Sequence, residues 1–328
     1  MINKKSVAIT GSTGQTASYL IELYLEKGYK VYGMMRRSST FSTERIDHVY
    51  NNPNLKLVYG DLADSLSIVN FIDEARPDYF INMGAQSHVM VSYQLPEYTF
   101  DVDATGVLRC LEALRKYSPH TKFLQASTSE MFGSNPPPQN ENTPFHPRSP
   151  YGVAKVAGYW NTINYREAYN MFASNSISFN HESPRRPETF IGRKVSRACT
   201  RIKLGLQDKL TLGNLNSKRD FTHAKDVARG VMMILDHDTP DDFVIGSEEM
   251  HSIQELVELM FDKVELDWKK YVVLDKKYER PAEVDALCAD ATKIKNTLGW
   301  KPEYTFEQLV DEMIEHDMNL AKKEILLK

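Results

Sequence analysis

Residues 7–35 contain the feature that most restricts the fold: a short apolar run, a glycine turn, an amphipathic stretch and a second strand-like run, with nothing between them. Val7-Ala-Ile-Thr10 reads as a buried strand. The turn Gly11-Ser12-Thr13-Gly14-Gln15-Thr16-Ala17 opens a helix that continues through Lys27, Gly28 stops it, and residues 30–35 form the second strand. The spacing G-x-x-G-x-x-A lets the backbone turn tightly and approach a pyrophosphate, whose charge then faces the helix N-terminus. Ala17 is small enough for the third position, where helix and sheet pack closely. Two glycines in a turn are also simply a turn. Their place at the first strand of an alternating pattern is what favours the dinucleotide reading.

That alternation continues through strands at residues 55–59, 79–82, 122–126 and 171–179 and helices at 65–75, 96–117 and 150–169. It predicts an α/β fold, a Rossmann-like doubly wound parallel sheet with a smaller C-terminal α/β substrate-binding region. Past residue 180 the pattern loosens into helices at 192–206, 224–237, 252–264 and 305–323 and short strands, one of them at 210–212. We expect residues 1–180 to hold the cofactor and the catalytic groups, and residues 181–328 mainly the substrate, with the chain crossing between the two. A length of 328 residues suits one large unit with an appendage, and 41% hydrophobic residues can fill a substantial core.

Charge narrows the partners. The net charge is −4 with both signs interspersed, and no basic block marks a nucleic-acid or membrane surface. The first six residues lack a signal peptide's apolar core, and no apolar run approaches the ~18 residues of a membrane span, so a cytoplasmic location is the default expectation. Cys110, Cys199 and Cys288 are odd in number and far apart, which argues against a disulfide framework or a cysteine metal site and for buried small hydrophobes; no metal is expected.

Arg36-Arg37-Ser38-Ser39 follows the second strand, where a dinucleotide unit selective for NAD usually carries an acid; two arginines and two hydroxyls favour NADP and its 2′-phosphate. An arginine pair at a strand end is otherwise ordinary surface. Asp61, followed by Leu62, would accept from an adenine amino group or else cap the next helix. Met83-Gly84-Ala85-Gln86-Ser87 forms a small-residue turn where backbone passes close to the cofactor, while His88 reads as packed rather than metal-bound.

Chemistry concentrates in residues 122–155. Tyr151 and Lys155 stand four apart just after Pro150, a residue suited to a helix's first turn, so they share a helical face. A lysine ammonium beside the phenol would lower its ordinary pKa of about 10 and make a base near neutral pH. The fifth strand delivers Thr128, Ser129 and Glu130 at its carboxyl end, where open α/β sheets bind ligands. An apolar wall beside Glu130 would raise its pKa. Residues 134–148, with five prolines, read as a polar loop edging the pocket.

Y-x-x-x-K after this glycine turn resembles the short-chain dehydrogenases, and the length resembles their extended, sugar-nucleotide branch. The runs Ala126-Ser-Thr-Ser-Glu130, Pro147-Arg-Ser-Pro-Tyr-Gly-Val-Ala-Lys155, Asn164-Tyr-Arg-Glu-Ala-Tyr169, Asn180-His-Glu-Ser-Pro-Arg-Arg186, Leu212-Gly-Asn-Leu-Asn-Ser-Lys-Arg-Asp220 and Arg280-Pro-Ala-Glu-Val-Asp285 resemble the GDP-mannose 4,6-dehydratase family over nearly the whole chain. The resemblance implies GDP-mannose as substrate, NADP as cofactor and a homodimer or homotetramer. It implies Thr128, Glu130, Tyr151 and Lys155 as the catalytic set, with Glu130 separating a dehydratase from epimerases and simple reductases. It further implies Lys194, Arg219 and Arg280 on phosphates and ribose, and Asn180, Ser87 and Ser129 near the sugar or its phosphates. Glu283 would lie near the nucleotide, and Tyr98, His181 and Arg186 in the cofactor pocket. Thr16-Ala17, Pro187 and Phe221-Thr222 depart from the family's usual Asp-Gly, glycine and Trp-Gly. The alternatives are a dehydratase for another nucleotide sugar, a bifunctional dehydratase and 4-reductase, or a non-catalytic NADP sensor.

Overall fold

A computed structural model of the protein describes residues 4–278 and 280–327; Met1, Ile2 and Asn3, part of the N-terminal stretch discussed above, lie outside the described residues. The central sheet contains β1 (Ser6–Thr10), β2 (Lys30–Met35), β3 (Leu55–Tyr59), β4 (Tyr79–Asn82), β5 (Lys122–Thr128), β6 (Ala173–Ser178) and the strand Asp242–Ile245. Its spatial order is Asp242–Ile245, β6, β5, β4, β1, β2, β3, and every pairing is parallel. The order reverses direction between β1 and β4, which opens a crevice at the carboxyl ends of the strands.

Between the strands run α1 (Gln15–Glu26), α2 (Ser65–Ala75), a broken run of α3 (Val89–Gln94), α4 (Pro96–Phe100) and α5 (Gly106–Tyr117), and then α6 (Pro150–Tyr169). After β6 come α7 (Ile191–Lys203), α8 (Ala224–Asp236), α9 (Ile253–Asp262), α10 (Thr292–Leu298) and α11 (Phe306–Leu326). Neighbouring residues of one strand serve opposite cores. Val7 and Ile9 pack with α1 and α8, whereas Ala8 packs with α2 and α5. Helices on both faces explain why β1 and β4 read as continuous apolar runs rather than alternating ones.

The chain does cross back: α8 and the strand Asp242–Ile245 lie beyond residue 180 yet complete the first unit's sheet and its cover. The C-terminal region has its own core, in which Leu210, Leu212 and Phe221 meet apolar residues of α7, α9 and α11. Phe221 stacks on Phe306 at 5.8 Å inside that core. A buried ion pair joins two of these helices. Arg193 Nε of α7 donates to both carboxylate oxygens of Asp317 in α11 at 2.8 Å, and Ser196 Oγ donates to Oδ2 at 2.5 Å. Arg193 Nη1 also donates to the carbonyls of Pro184 and Arg186, so this pair fixes the segment that follows His181.

Three expectations change. The helix expected over 96–117 is interrupted by a π turn at Asp101–Thr105, which turns Asp103 inward. The strand expected at 171–179 is confined to Ala173–Ser178. Residues 134–148 are partly core rather than a polar rim. Gln139 is fully buried, its amide bonds to Cys288 O, and Glu141 Oε1 accepts from Val244 N at 2.7 Å, covering the sheet edge. Cys110 and Cys199 are buried as expected, while Cys288 is only half-buried. Among the described residues, no helix is long and apolar enough to cross a membrane.

Candidate active site

Buried side chains hold the carboxyl ends of β1 and β4 in line with the middle of β5. Thr10 Oγ1 donates to Asn82 Oδ1 at 2.6 Å, and Asn82 Nδ2 donates to Gln125 Oε1 at 2.8 Å. Gly84 N donates to Thr10 Oγ1 at 2.9 Å, which brings the turn after β4 onto the turn after β1. Gly11 sits at φ +61°, and a Cβ placed there would be 2.9 Å from Gly84 Cα. Bare backbone therefore meets bare backbone at this point, and any side chain at Gly11 would close the space. Gly14 begins α1 without a side-chain cap, leaving first-turn amides open. Open amides at the positive end of a helix dipole suit a pyrophosphate, so the turn fits a dinucleotide.

The remaining cofactor candidates divide by position. Ser12 Oγ donates to Met34 O at 3.1 Å, and Thr13 O accepts from Arg45 Nη1 at 3.4 Å. Gln15 and Thr16 are buried, and Gln15 faces inward: its Nε2 donates to His181 O at 3.0 Å and its Oε1 accepts from Ser183 Oγ at 2.8 Å. These contacts tie the glycine turn to the strand His181–Glu182. Arg36 Nη1 donates to Tyr98 OH at 2.8 Å, bringing two candidates together from separate elements. Arg37, Ser38 and Ser39 are exposed beyond it. Asp61 Oδ1 accepts from Ala63 N at 2.9 Å, a local turn contact, and Leu62 is buried beneath Gly84 and Gly106. Met83 packs on the core beside β1, Ala85 is half-buried and Ser87 is exposed. Gln86 reaches Thr99 Oγ1 at 3.0 Å, and His88 caps α3, accepting from Val91 N at 3.4 Å. Arg186 lies over the Phe190 ring at 3.9 Å. Lost solvation, then the Arg186 charge, pushes His181 down to about 4.

Tyr151 and Lys155 occupy the first turns of α6, which is started by Pro150 and by Ser149 Oγ accepting from Gly152 N at 3.0 Å. Thr128 ends β5, and its Oγ1 accepts from Glu130 N at 3.2 Å, holding Ser129 and Glu130 in a 3-10 turn. Tyr151, Lys155, Ser129 and Glu130 are all buried. Lys155 does not hydrogen-bond the phenol oxygen directly. Lys155 Nζ donates to Ala126 O at 3.0 Å and stands 5.8 Å from the centre of the Tyr151 ring. Burial, followed by the Asp103 charge, pushes Tyr151 well above its ordinary value, and Thr128 pulls the other way. Burial lowers Lys155, opposed by Asp103.

Asp103 escaped the sequence reading because it lies inside what looks like an unbroken helix. The π turn buries it near Tyr151 and Lys155, where its Oδ1 accepts from Gln86 N at 2.7 Å and its Oδ2 has no partner among the described residues. Burial raises it to about 6, with Lys155 and the Gln86 amide opposing the rise. A π turn of this kind is frequent at functional sites.

The group beside Glu130 is a cation. Arg280 Nη1 lies 3.2 and 3.4 Å from the two carboxylate oxygens. Arg219 is buried, donates to Lys218 O at 2.9 Å and stands 3.7 Å from Glu283. Lys194 donates to Thr211 O at 2.8 Å beneath the Tyr278 ring, 4.3 Å away. Asn180 is half-buried, and its carbonyl accepts from Thr222 N at 2.8 Å. Cations from the strand Lys218–Asp220 and from the segment before residue 286 thus stand near Glu130.

The family described as "GDP-mannose 4,6 dehydratase" matches residues 8–313. GDP-mannose 4,6 dehydratase 1 of Arabidopsis thaliana is 51% identical over 334 residues, covering 99% of this chain and 92% of that protein. The Homo sapiens GDP-mannose 4,6 dehydratase is 48% identical over 96% of this chain and 91% of its own. In fold, the chain is similar to the dTDP-glucose 4,6-dehydratase of Bacillus anthracis in complex with NAD, with a TM-score of 0.84 at 23% identity, covering 99% of this chain and all of that one.

Asp103 gives the site a signature in stability against pH. Its folded value, about 6, lies above the ordinary 3.8, so the folded protein binds the extra proton between them. Its contribution is complete below about pH 4 and is lost as pH rises through about 6. Asp103→Asn lacks this loss, so its stability relative to the unsubstituted protein should rise by about 2 kcal/mol from pH 4 to pH 7. Urea unfolding at the two pH values measures this; a difference that does not change with pH would contradict it.

Proposed function

The chain belongs to the GDP-mannose 4,6-dehydratase family, and from that membership we infer that it converts GDP-mannose to GDP-4-keto-6-deoxymannose with loss of one water. The observation that carries the assignment of roles is Glu130, two residues beyond Thr128 and in the same buried pocket as Tyr151. An oxidoreductase needs the hydroxyl, phenol and lysine; removing water across C5 and C6 needs a further acid or base.

A bound nicotinamide cofactor supplies a reversible hydride sink, which accepts the C4 hydrogen and returns it to C6, and a positive charge when oxidised. Tyr151 takes the O4 proton while Thr128 holds that oxygen, and the Lys155 ammonium, anchored on Ala126 O, stabilises the phenolate. The ketone formed at C4 makes the C5 hydrogen acidic. Glu130 removes that proton and then assists departure of the C6 hydroxyl as water. Arg219, Arg280 and Lys194 hold the diphosphate and ribose, with Ser87, Ser129, Asn180 and Glu283 lining the rest of the nucleotide-sugar site.

Purified protein given GDP-mannose and catalytic cofactor should yield a product lighter by one water. Turnover of dTDP-glucose or CDP-glucose with none of GDP-mannose would overturn the substrate assignment. Glu130→Gln should lower the rate by at least about 100-fold while cofactor binding is unchanged; full activity would refute its role.

For the cofactor we favour NADP over NAD. Arg36 projects from the end of β2 onto Tyr98, Arg37 follows with an exposed side chain, and the segment 36–39 contains no acid to accept ribose hydroxyls. Replacing both arginines with alanine should weaken NADP binding at least about tenfold and leave NAD binding within about twofold; equal losses for the two would contradict the choice. We also read the protein as a homodimer or homotetramer, because Val153 and Trp160 lie two turns apart on one face of α6 and are both exposed. Sedimentation as a lone 37.6 kDa species would refute this.

A further inference from the structure

Two arginine–carboxylate pairs in this molecule are built differently. Arg193 and Asp317 are buried, Nε reaches both oxygens at 2.8 Å, and Nη2 also stands 2.8 Å from Oδ1. Arg280 and Glu130 touch through the single nitrogen Nη1, at 3.2 and 3.4 Å, and a quarter of the Arg280 side chain remains exposed. Charge-assisted bonds of this type settle near 2.7–2.9 Å when nothing prevents it, and an arginine fork prefers two parallel bonds. Among the described residues, the Arg280 guanidinium makes no other hydrogen bond. Its Nε and Nη2 donors are therefore unused among the described residues. Arg219 lies close enough for Glu130, Arg280 and Glu283 all to act on its charge. Glu130 thus occupies the position of an anion between two guanidinium groups.

We propose that Arg280 alternates between two anions: it holds Glu130 while the cleft is empty, and the diphosphate of the incoming nucleotide sugar draws it away, releasing Glu130 as a base only when substrate is seated. The proposal rests on the roles assigned above to Glu130 as base and to Arg280 as diphosphate ligand. A phosphate offers the planar fork two acceptors at once, whereas the observed carboxylate contact uses one donor. A ligand shifts such an equilibrium only by its difference in affinity for the two states, so part of the diphosphate's binding energy goes into breaking the Glu130 contact. The consequence is a base that is neutralised by a cation except in the complex that needs it. A hexose without a diphosphate would meet a latched carboxylate.

GDP carries the diphosphate without the sugar, so its affinity reports the exchange apart from turnover. Titration calorimetry of the full chain with GDP, for the unsubstituted protein, Glu130→Gln, Arg280→Gln and the double variant, forms a closed cycle. Glu130→Gln should bind GDP about fivefold more tightly than the unsubstituted protein, because Arg280 no longer has to leave a partner. Arg280→Gln should bind more weakly, and adding Glu130→Gln to it should change the affinity by less than about twofold. Arg280→Lys, which keeps the charge and loses the fork, should retain part of the coupling. If Glu130→Gln has the same effect with and without Arg280, the carboxylate merely repels the diphosphate and the alternation is wrong. If it has no effect in the unsubstituted background, no exchange takes place. Absence of any saturable GDP binding would instead overturn the nucleotide-sugar reading itself.

Discussion

The run of buried hydrogen bonds from Thr10 through Asn82 to Gln125 fixes how the rest of this molecule is arranged. It joins the carboxyl ends of β1 and β4 to Gln125 in the middle of β5, so the glycine turn and the turn after β4 begin at one level of the sheet and Thr128 stands three residues beyond it. Polar side chains in so dry a place stay only if each finds its partner. The bond from Gly84 N to Thr10 then brings two glycine backbones together and leaves the crevice free of side chains. A cofactor cleft is what remains when the strand ends are tied this closely and no Cβ fills the gap.

Below that level the site works with buried charge. Tyr151, Lys155 and Asp103 share a pocket in which burial moves each toward its neutral form, and the lysine is anchored on a backbone carbonyl instead of on the phenol. In the free protein the phenol therefore keeps its proton. The same economy separates the two arginine pairs. Arg193 and Asp317 are permanent and structural, holding α7 to α11 and steadying the carbonyls of residues 184 and 186. Arg280 and Glu130 face a cleft, are loosely matched and can part.

Much of this was legible in the sequence, for local reasons. The glycine turn, the strand and helix alternation and the four-residue step from Tyr151 to Lys155 are short-range patterns set by backbone periodicity, and the structure forms them where they were expected. Thr128 and Glu130 were readable because a strand's carboxyl end is a fixed address in this architecture. Asp103 was not, since a π turn inserts one residue into a helical repeat without changing composition. Nor was the pairing of Glu130 with Arg280, which are 150 positions apart and brought together by the whole C-terminal region. The partner of Lys155, a main-chain oxygen, leaves no mark on residue type at all.

The central claim is that a hydrogen removed from C4 is returned within the same molecule to C6, with Glu130 driving the elimination in between. GDP-mannose deuterated at C4, turned over with a small amount of unlabelled cofactor, tests this most directly. The account predicts product bearing the deuterium at C6, with the cofactor unlabelled when turnover is complete. Deuterium lost to solvent, or accumulating in reduced cofactor, would contradict it.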